Sequence, residues 1–189
     1  PDGRARDALG IVKRLLGNAE LASDYDSHLS VVARRVLFLA PVKDGGLLPF
    51  KAIFDIIKLQ GALVPYGVLV RGAITLGDAA AREEIFFGQG IGEAESLRDQ
   101  VAHVPRVIVD PRLLREVEQN ANLRAQQHTA MQELGYLREL LRADADGLLS
   151  VDYLLAFQWS VDEPSRYIAF LEQHRRLVVW LERLAGLCM

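Results

Sequence analysis

Apolar residues recur at helical spacing in several stretches of this chain, with short β-prone runs between them. Ala8, Ile11, Val12, Leu15, Leu16 and Ala19 share one stripe, with Lys13 and Arg14 on the other side, which predicts a helix over about Ala5–Ala22. Ser23-Asp24-Tyr25-Asp26-Ser27 breaks it with turn-prone residues. Leu29–Val32 and Val36–Leu39 read as strands separated by Ala33-Arg34-Arg35; Pro41 ends the second, and Lys43-Asp44-Gly45-Gly46 is a loop. A second helix spans Leu47–Leu63, with Phe50, Ile53, Phe54, Ile57 and Leu63 as its buried stripe. After a turn at Val64-Pro65-Tyr66-Gly67, a strand is expected over Val68–Leu76, a hairpin tip over Gly77–Glu84 and a returning strand at Ile85–Phe87.

Gly88-Gln89-Gly90 leads into a helix over about Ile91–Val101, carrying Ala94 and Leu97. Pro105 precedes a strand at Arg106–Val109, and Asp110-Pro111 opens a helix through about Glu118. Further on come a helix over Ala130–Leu141, a turn at Asp144-Ala145-Asp146-Gly147, an extended run at Leu148–Leu154 and a terminal helix over Ser165–Leu184. The inward residues of that helix are expected to be Ile168, Leu171, Leu177, Val178, Leu181 and Leu184, and Trp159, Trp180, Phe157 and Tyr167 are expected to pack the terminal helices. The order of elements predicts an α/β (or α+β) fold with a largely antiparallel sheet.

The chain's 189 residues fit one ordinary domain, and a hydrophobic share of 50% allows a sizeable core. A formal charge of −3 with interspersed cations argues against a broad nucleic-acid-binding face and leaves room for a local basic pocket. Cys188 is the single cysteine, so neither an internal disulfide nor a cysteine-based metal site is expected and a reducing, cytoplasmic compartment is the natural setting. No apolar run approaches the roughly 20 residues of a membrane span. The chain opens on Pro1 rather than Met, so residues upstream are expected.

Candidate chemistry concentrates in Val68–Asp78, Ile85–Leu97 and Pro105–Asp110. Gly72 and Gly77 allow close backbone approach in a strand, and Gly88-Gln89-Gly90 feeds a helix N-terminus, where N–H groups favour an anion. Arg71 offers a forked donor to a phosphate oxygen. The glycine spacing matches neither a P-loop nor a dinucleotide fingerprint, and glycines in such a unit are often purely structural. The residues by themselves reach no further than a phosphate site, with Gly72, Thr75, Gly88 and Gly90 as phosphate-binding candidates and Arg71 either a phosphate donor or a plain surface or salt-bridged strand residue; Arg71 is the catalytic candidate in light of the resemblance that follows.

The Arg71-Gly72-Ala73-Ile74-Thr75-Leu76-Gly77 strand, the Phe87-Gly88 turn before an alanine-containing helix, and Pro105-Arg106-Val107-Ile108-Val109-Asp110 resemble, in that order, class III nucleotide cyclases. They look closest to the pyrimidine-specific cyclases of bacterial Pycsar antiphage defence. The tail, from Asp146-Gly147-Leu148-Leu149 to the helix with His174, is similar to that family's appended helical end. The resemblance covers about Leu37–Leu184. It implies a ferredoxin-like cyclase domain over residues 1–120, its first strand lying upstream, with a helical extension over 121–189. It further implies a homodimer, a cyclic-nucleotide-responsive effector, and conversion of UTP or CTP to a 3′,5′-cyclic mononucleotide with release of pyrophosphate. Two divalent ions, Mg²⁺ or Mn²⁺, would be held by two aspartates. One belongs upstream of residue 1. The other belongs at Ala33-Arg34-Arg35, where arginine stands instead, and the ligand set is not located in this chain.

The family's transition-state arginine and its companion asparagine correspond to Ser96 and Gly92, so neither role carries over. Asp24 and Asp26 read as turn formers rather than metal ligands. His28, His103, His128 and His174 lack paired metal-site spacing and read as surface or capping residues. Asp144-Ala145-Asp146-Gly147 lacks the remainder of a calcium loop and reads as a turn. Two alternatives to a cyclase stay open: an inactive cyclase-fold module that binds a nucleotide or a protein, and a plain dimerisation domain.

Overall fold

The structure, a computed structural model, describes residues 7, 10–12, 14, 28–32, 35–42, 48–82, 85–100, 104–159 and 161–187. The expectations for residues 23–27 with Asp24 and Asp26, for Arg34, for the loop at 43–46, for His103 and for Cys188 lie outside these. Of the first expected helix, residues 7, 10–12 and 14 are helical, with Ile11 and Val12 buried and Arg14 exposed, as the stripe required.

β1 (His28–Val32) and β2 (Arg35–Leu39) pair antiparallel, in register from His28↔Leu39 to Val32↔Arg35. α1 (Pro49–Leu63) starts on a proline, whose missing N–H costs nothing in the first turn. It is buried on more than the expected stripe. Ile53 and Ile57 face the main core, while Leu59 and Leu63 pack on Ile11 and Val12. Phe50 and Phe54 are only partly buried and stack on each other at the helix edge.

β3 is Gly72–Ile74 alone, shorter than the Val68–Leu76 strand expected from the sequence. Its length is set by its partner. β6 (Val107–Val109) lies between Pro105 and Pro111, so few residues are available to pair. The hairpin expectation also needs correction. β5 (Ile85–Phe87) does not return against Val68–Leu76 but pairs with β4 (Ala80–Arg82), in register Ala80↔Phe87 to Arg82↔Ile85. α2 (Gln89–Gln100) then leads back to β6, which lies parallel to β3 with Gly72↔Val107 and Ile74↔Val109.

α3 (Pro111–Gln119) is capped by Asp110, whose carboxylate accepts from the Arg112 N–H. α4 (Ala130–Glu139) opens on a Thr129/Gln132 capping box. It ends before Leu141, which instead starts β7 (Leu141–Ala143). The Asp144–Gly147 turn, with Gly147 at φ 80°, joins β7 to β8 (Leu149–Val151). The extended run expected to reach Leu154 stops there. Asp152 accepts from the Leu155 N–H and starts a helix, α5 (Tyr153–Trp159), which alternation of apolar residues did not disclose. α6 (Pro164–Leu187) ends the described chain.

The four-stranded sheet runs β3-β6-β8-β7, with one parallel pair and two antiparallel ones. It is mixed, in a general α/β arrangement. The stretch 121–189, expected as a helical extension, supplies two of its four strands. One core joins Ile53 and Val109 to Leu137, Val151 and Phe170. Into it α6 sends Phe170, with Tyr167, Leu171 and Leu177 against it, whereas Ile168 is exposed. Phe157 stacks on Phe170 with centroids 4.0 Å apart, but Trp159 and Trp180 are more than half exposed, contrary to expectation. A helix this long meets the core along only part of its surface. Among the described residues no helix is long and apolar enough to cross a membrane.

Gly61 sits inside α1 where a Cβ would lie 2.7 Å from the Phe157 ring. Alanine in a helix interior ordinarily gains about 1 kcal/mol over glycine. Here the Phe157 ring, held by Phe170, has little room to retreat, so Gly61→Ala should lower unfolding stability by about 1–2 kcal/mol in urea titration. A gain in stability would contradict this packing.

Candidate phosphate-binding site

β3 and α2 run antiparallel, and their two ends carry different chemistry. At the α2 N-terminus the glycine turn is knit to the residues after β3. Gly88 has φ 134°, and a Cβ there would meet the Asp78 carbonyl oxygen at 2.4 Å. The Gly90 N–H donates to that same oxygen at 2.9 Å, and the Thr75 hydroxyl donates to the Gly90 carbonyl at 3.0 Å. Gly77 and Gly90 pack backbone to backbone, a Cβ on Gly77 coming within 3.0 Å of the Gly90 Cα. The chain's own backbone therefore engages the Gly90 N–H that sequence reasoning offers to a phosphate.

The side chains around this turn are mostly acidic. Asp110 is 4% exposed, and Arg112 bridges it to Glu93, with Nη2 2.6 Å from each carboxylate. Burial works to raise the Asp110 carboxyl, but hydrogen bonds from the Arg112 side chain and backbone outweigh it and hold the group below its usual range. Hydrogen bonds from Arg112 and Gln89 likewise hold Glu93 low. One cation faces two carboxylates here, which disfavours a polyanion.

The other end of α2 has the opposite balance. Arg71, immediately before β3, lies 3.7 Å from Asp99. Arg98 donates to Asp99 through Nε at 2.8 Å and Nη2 at 2.7 Å, and its Nη2 lies 3.8 Å from Glu95. Arg35, at the start of β2, reaches Glu95 at 3.5 Å. Three guanidiniums thus converge on two carboxylates. The Arg98 hydrogen bond, with the charges of Arg98, Arg35 and Arg71, holds the Asp99 carboxyl below its usual range. The negative end of the helix dipole, roughly half a charge, leaves this corner cationic. Its side chains are accessible, at 66% for Arg35 and 47% for Arg71.

Arg71 and Gly72 therefore lie at one end of α2, and Thr75, Gly88 and Gly90 at the other. Gly90 to Asp99 is about 13 Å along a helix rising 1.5 Å per residue. Arg71 and the glycine turn do not form one phosphate cradle. Sequence reasoning missed Arg35 and Arg98. Arg98 follows Glu95 and precedes Asp99 on one helix, a local signal that was present, whereas the approach of Arg35 depends on where the β1–β2 hairpin docks.

The remaining candidates fall elsewhere. Gly92 and Ser96 lie on α2. Asp144 and Asp146 both bind Arg106, and Asp144 also accepts from Arg142 at 3.1 Å, so the turn's carboxylates tie β7–β8 to the entry of β6. His174 is partly buried against the Tyr153 ring, 5.6 Å between centroids, and burial pushes its imidazole below the usual range. His128 is also partly buried, bonded to Glu133 at 2.6 Å. Where a surface or capping role was expected, each is partly buried, against a ring or a carboxylate. No family model, curated protein or solved structure matches this chain.

The Asp110–Arg112 pair sets a pH dependence. A carboxyl held low in the folded state adds stability above its unfolded pKa, about 3.9, and that contribution fades as pH falls through the folded value. Asp110→Ala should therefore cost about 1–2 kcal/mol at pH 7, through the lost cap and the unpaired Arg112, and less near pH 3. Urea unfolding at both pH values measures this, and an equal cost at both would remove the ionic contribution.

Proposed function

We propose that this chain is the core of a nucleotide cyclase of the bacterial pyrimidine type, taking UTP or CTP to a 3′,5′-cyclic mononucleotide and pyrophosphate as an antiphage second messenger. One observation supports it most. The three stretches that carry the cyclase resemblance, at 71–77, 87–97 and 105–110, join into one physical unit. β3 lies beside β6 in parallel, α2 packs on β3, and Thr75 bonds to Gly90.

In this reading the guanidiniums of Arg71, Arg98 and Arg35 take the triphosphate, whose charge exceeds that of the two carboxylates they now hold. The ribose 3′-oxygen attacks the α-phosphorus, its proton leaves to solvent or a base, and the bond to the β-phosphoryl oxygen breaks. Arginine donors favour the charge building on the departing pyrophosphate. The protein works as a cytoplasmic homodimer feeding a cyclic-nucleotide-responsive effector, with no nucleic-acid partner and no membrane span in this chain.

The divalent ions of the family do not fit the residues present at the corresponding place. Arginine stands at residues 33–35 where the second aspartate belongs, and its positive charge repels a divalent ion. No step is routed through a metal here. This misfit favours a second reading, in which the fold binds the nucleotide without turning it over.

The two readings separate in one experiment on the full-length protein, given each NTP with Mn²⁺. Cyclic UMP or CMP establishes the enzyme; saturable UTP or CTP binding without cyclic product establishes the binding module; neither outcome removes both. Arg71→Ala should weaken UTP binding about tenfold while the melting temperature stays unchanged. Unchanged affinity would reject the arginine cluster as the phosphate site.

A further inference from the structure

Arg98 and Asp99 are consecutive in the last turn of α2, where neighbouring side chains project about 100° apart and do not face each other. Arg98 turns back onto Asp99 all the same, donating through Nε to Oδ1 at 2.8 Å and through Nη2 to Oδ2 at 2.7 Å. The forked edge of the guanidinium, the edge that matches a phosphate, is therefore filled by the carboxylate of the next residue. Arg71 Nη2 lies 3.7 Å from the same Oδ1, so Asp99 engages two of the three arginines of the basic corner. The Asp99 side chain is 48% exposed, whereas that of Arg98 is 18% exposed. The guanidinium is the covered member of the pair, and the carboxylate is the one with room to leave.

Asp99 can serve this corner in two ways, with opposite consequences. As a positioning residue it would hold Arg71 and Arg98 together for an incoming phosphate, and its loss would weaken binding. As a competitor it would occupy donors that the phosphate needs, and its loss would strengthen binding. The geometry favours competition. A phosphate oxygen on the Arg98 fork would meet Asp99 oxygens already bonded to the same two nitrogens, placing two anions in contact. Positioning is also little needed, since the cover over Arg98 already limits where its guanidinium can go.

We propose that Asp99 is an internal competitor at the basic corner, filling the Arg98 fork and engaging Arg71 until a nucleoside triphosphate displaces it. The proposal rests on the nucleotide reading of this corner and adds a control on its affinity. A triphosphate brings several negative charges against the one on Asp99, and an exposed ion pair opposes the exchange only weakly. Asp99→Asn keeps the size of the side chain and removes its charge. The three guanidiniums then face Glu95 alone. The fraction of Arg98 ready for a phosphate rises, and apparent affinity rises with it.

The test is isothermal titration calorimetry of the full chain with inorganic tripolyphosphate, without metal, and with UTP titrated alongside. Asp99→Asn should bind tripolyphosphate about fivefold more tightly than the wild type. Glu182→Gln makes the same change in net charge on the exposed face of α6 and should stay within about twofold of the wild type. Unchanged or weaker affinity in Asp99→Asn, or an equal gain in Glu182→Gln, would overturn the proposal. If Asp99→Asn does not fold, the wild type decides alone. Tripolyphosphate should then shift the Arg98 Nε–H signal in proton–nitrogen NMR, because its acceptor changes, and an unmoved signal at saturation rules out the displacement. The nucleotide reading fails separately: a gain for tripolyphosphate with no binding of UTP keeps Asp99 as a competitor and removes the nucleotide. No saturable binding of either ligand to either protein removes both.

Discussion

The pairing capacity of Val107-Ile108-Val109 constrains much of this fold. All three residues are buried, with neighbouring strands on both edges, β3 in parallel and β8 antiparallel. Pro105 before them and Pro111 after them stop the run. Three residues then set the length of β3. They leave Val68–Val70 without a ladder partner and free the segment after Gly77 to form its own hairpin with Ile85–Phe87. The backbone hydrogen bond from Asp110 to the Ile74 carbonyl closes the end of this unit, and the same Asp110 caps the next helix. One short central strand thus positions both ends of α2, and with them the acidic corner and the basic one.

Electrostatics divides those corners in a way that glycine content alone could not. At the glycine turn, a hydrogen bond from the Gly90 N–H to the Asp78 carbonyl and one from the Thr75 hydroxyl to the Gly90 carbonyl satisfy the local backbone, and Glu93, Asp110 and Arg112 form a closed group. At the far end, three guanidiniums face two carboxylates, Arg35 and Arg71 exposed and Arg98 partly buried. Exposed ion pairs of this kind contribute little to stability, about 0–1 kcal/mol each. They can therefore exchange one anionic partner for another at small cost, which a phosphate site requires. The buried His128–Glu133 pair belongs to the opposite case, where burial holds the geometry firmly.

Local signals in the sequence were reliable where the physics is local. Asp110-Pro111 marked a helix start, Gly147 marked a turn, and the Ile11–Val12 stripe faced inward. The helix at Tyr153–Trp159 was missed because Leu148–Leu154 reads as an apolar run, yet Asp152 carried the cap signal. Exposure of Trp159 and Trp180 was not legible, because apolar character states what a residue could bury and not whether a neighbour is present to bury it. Of the candidate site, Arg71 was legible through its place beside a strand glycine. Arg35 was not, since it comes from a hairpin 60 residues before Glu95.

The sequence by itself determined the kinds of element, most of their boundaries, a mixed α/β class and the presence of phosphate-compatible side chains. Those properties follow from periodicity, caps and turn residues, which act over a few neighbouring positions. The tertiary structure alone decided which strands pair, which faces of α1 and α6 are covered, and which end of α2 gathers cations. Each depends on residues tens of positions apart meeting across a core, and the sequence records no distance of that kind.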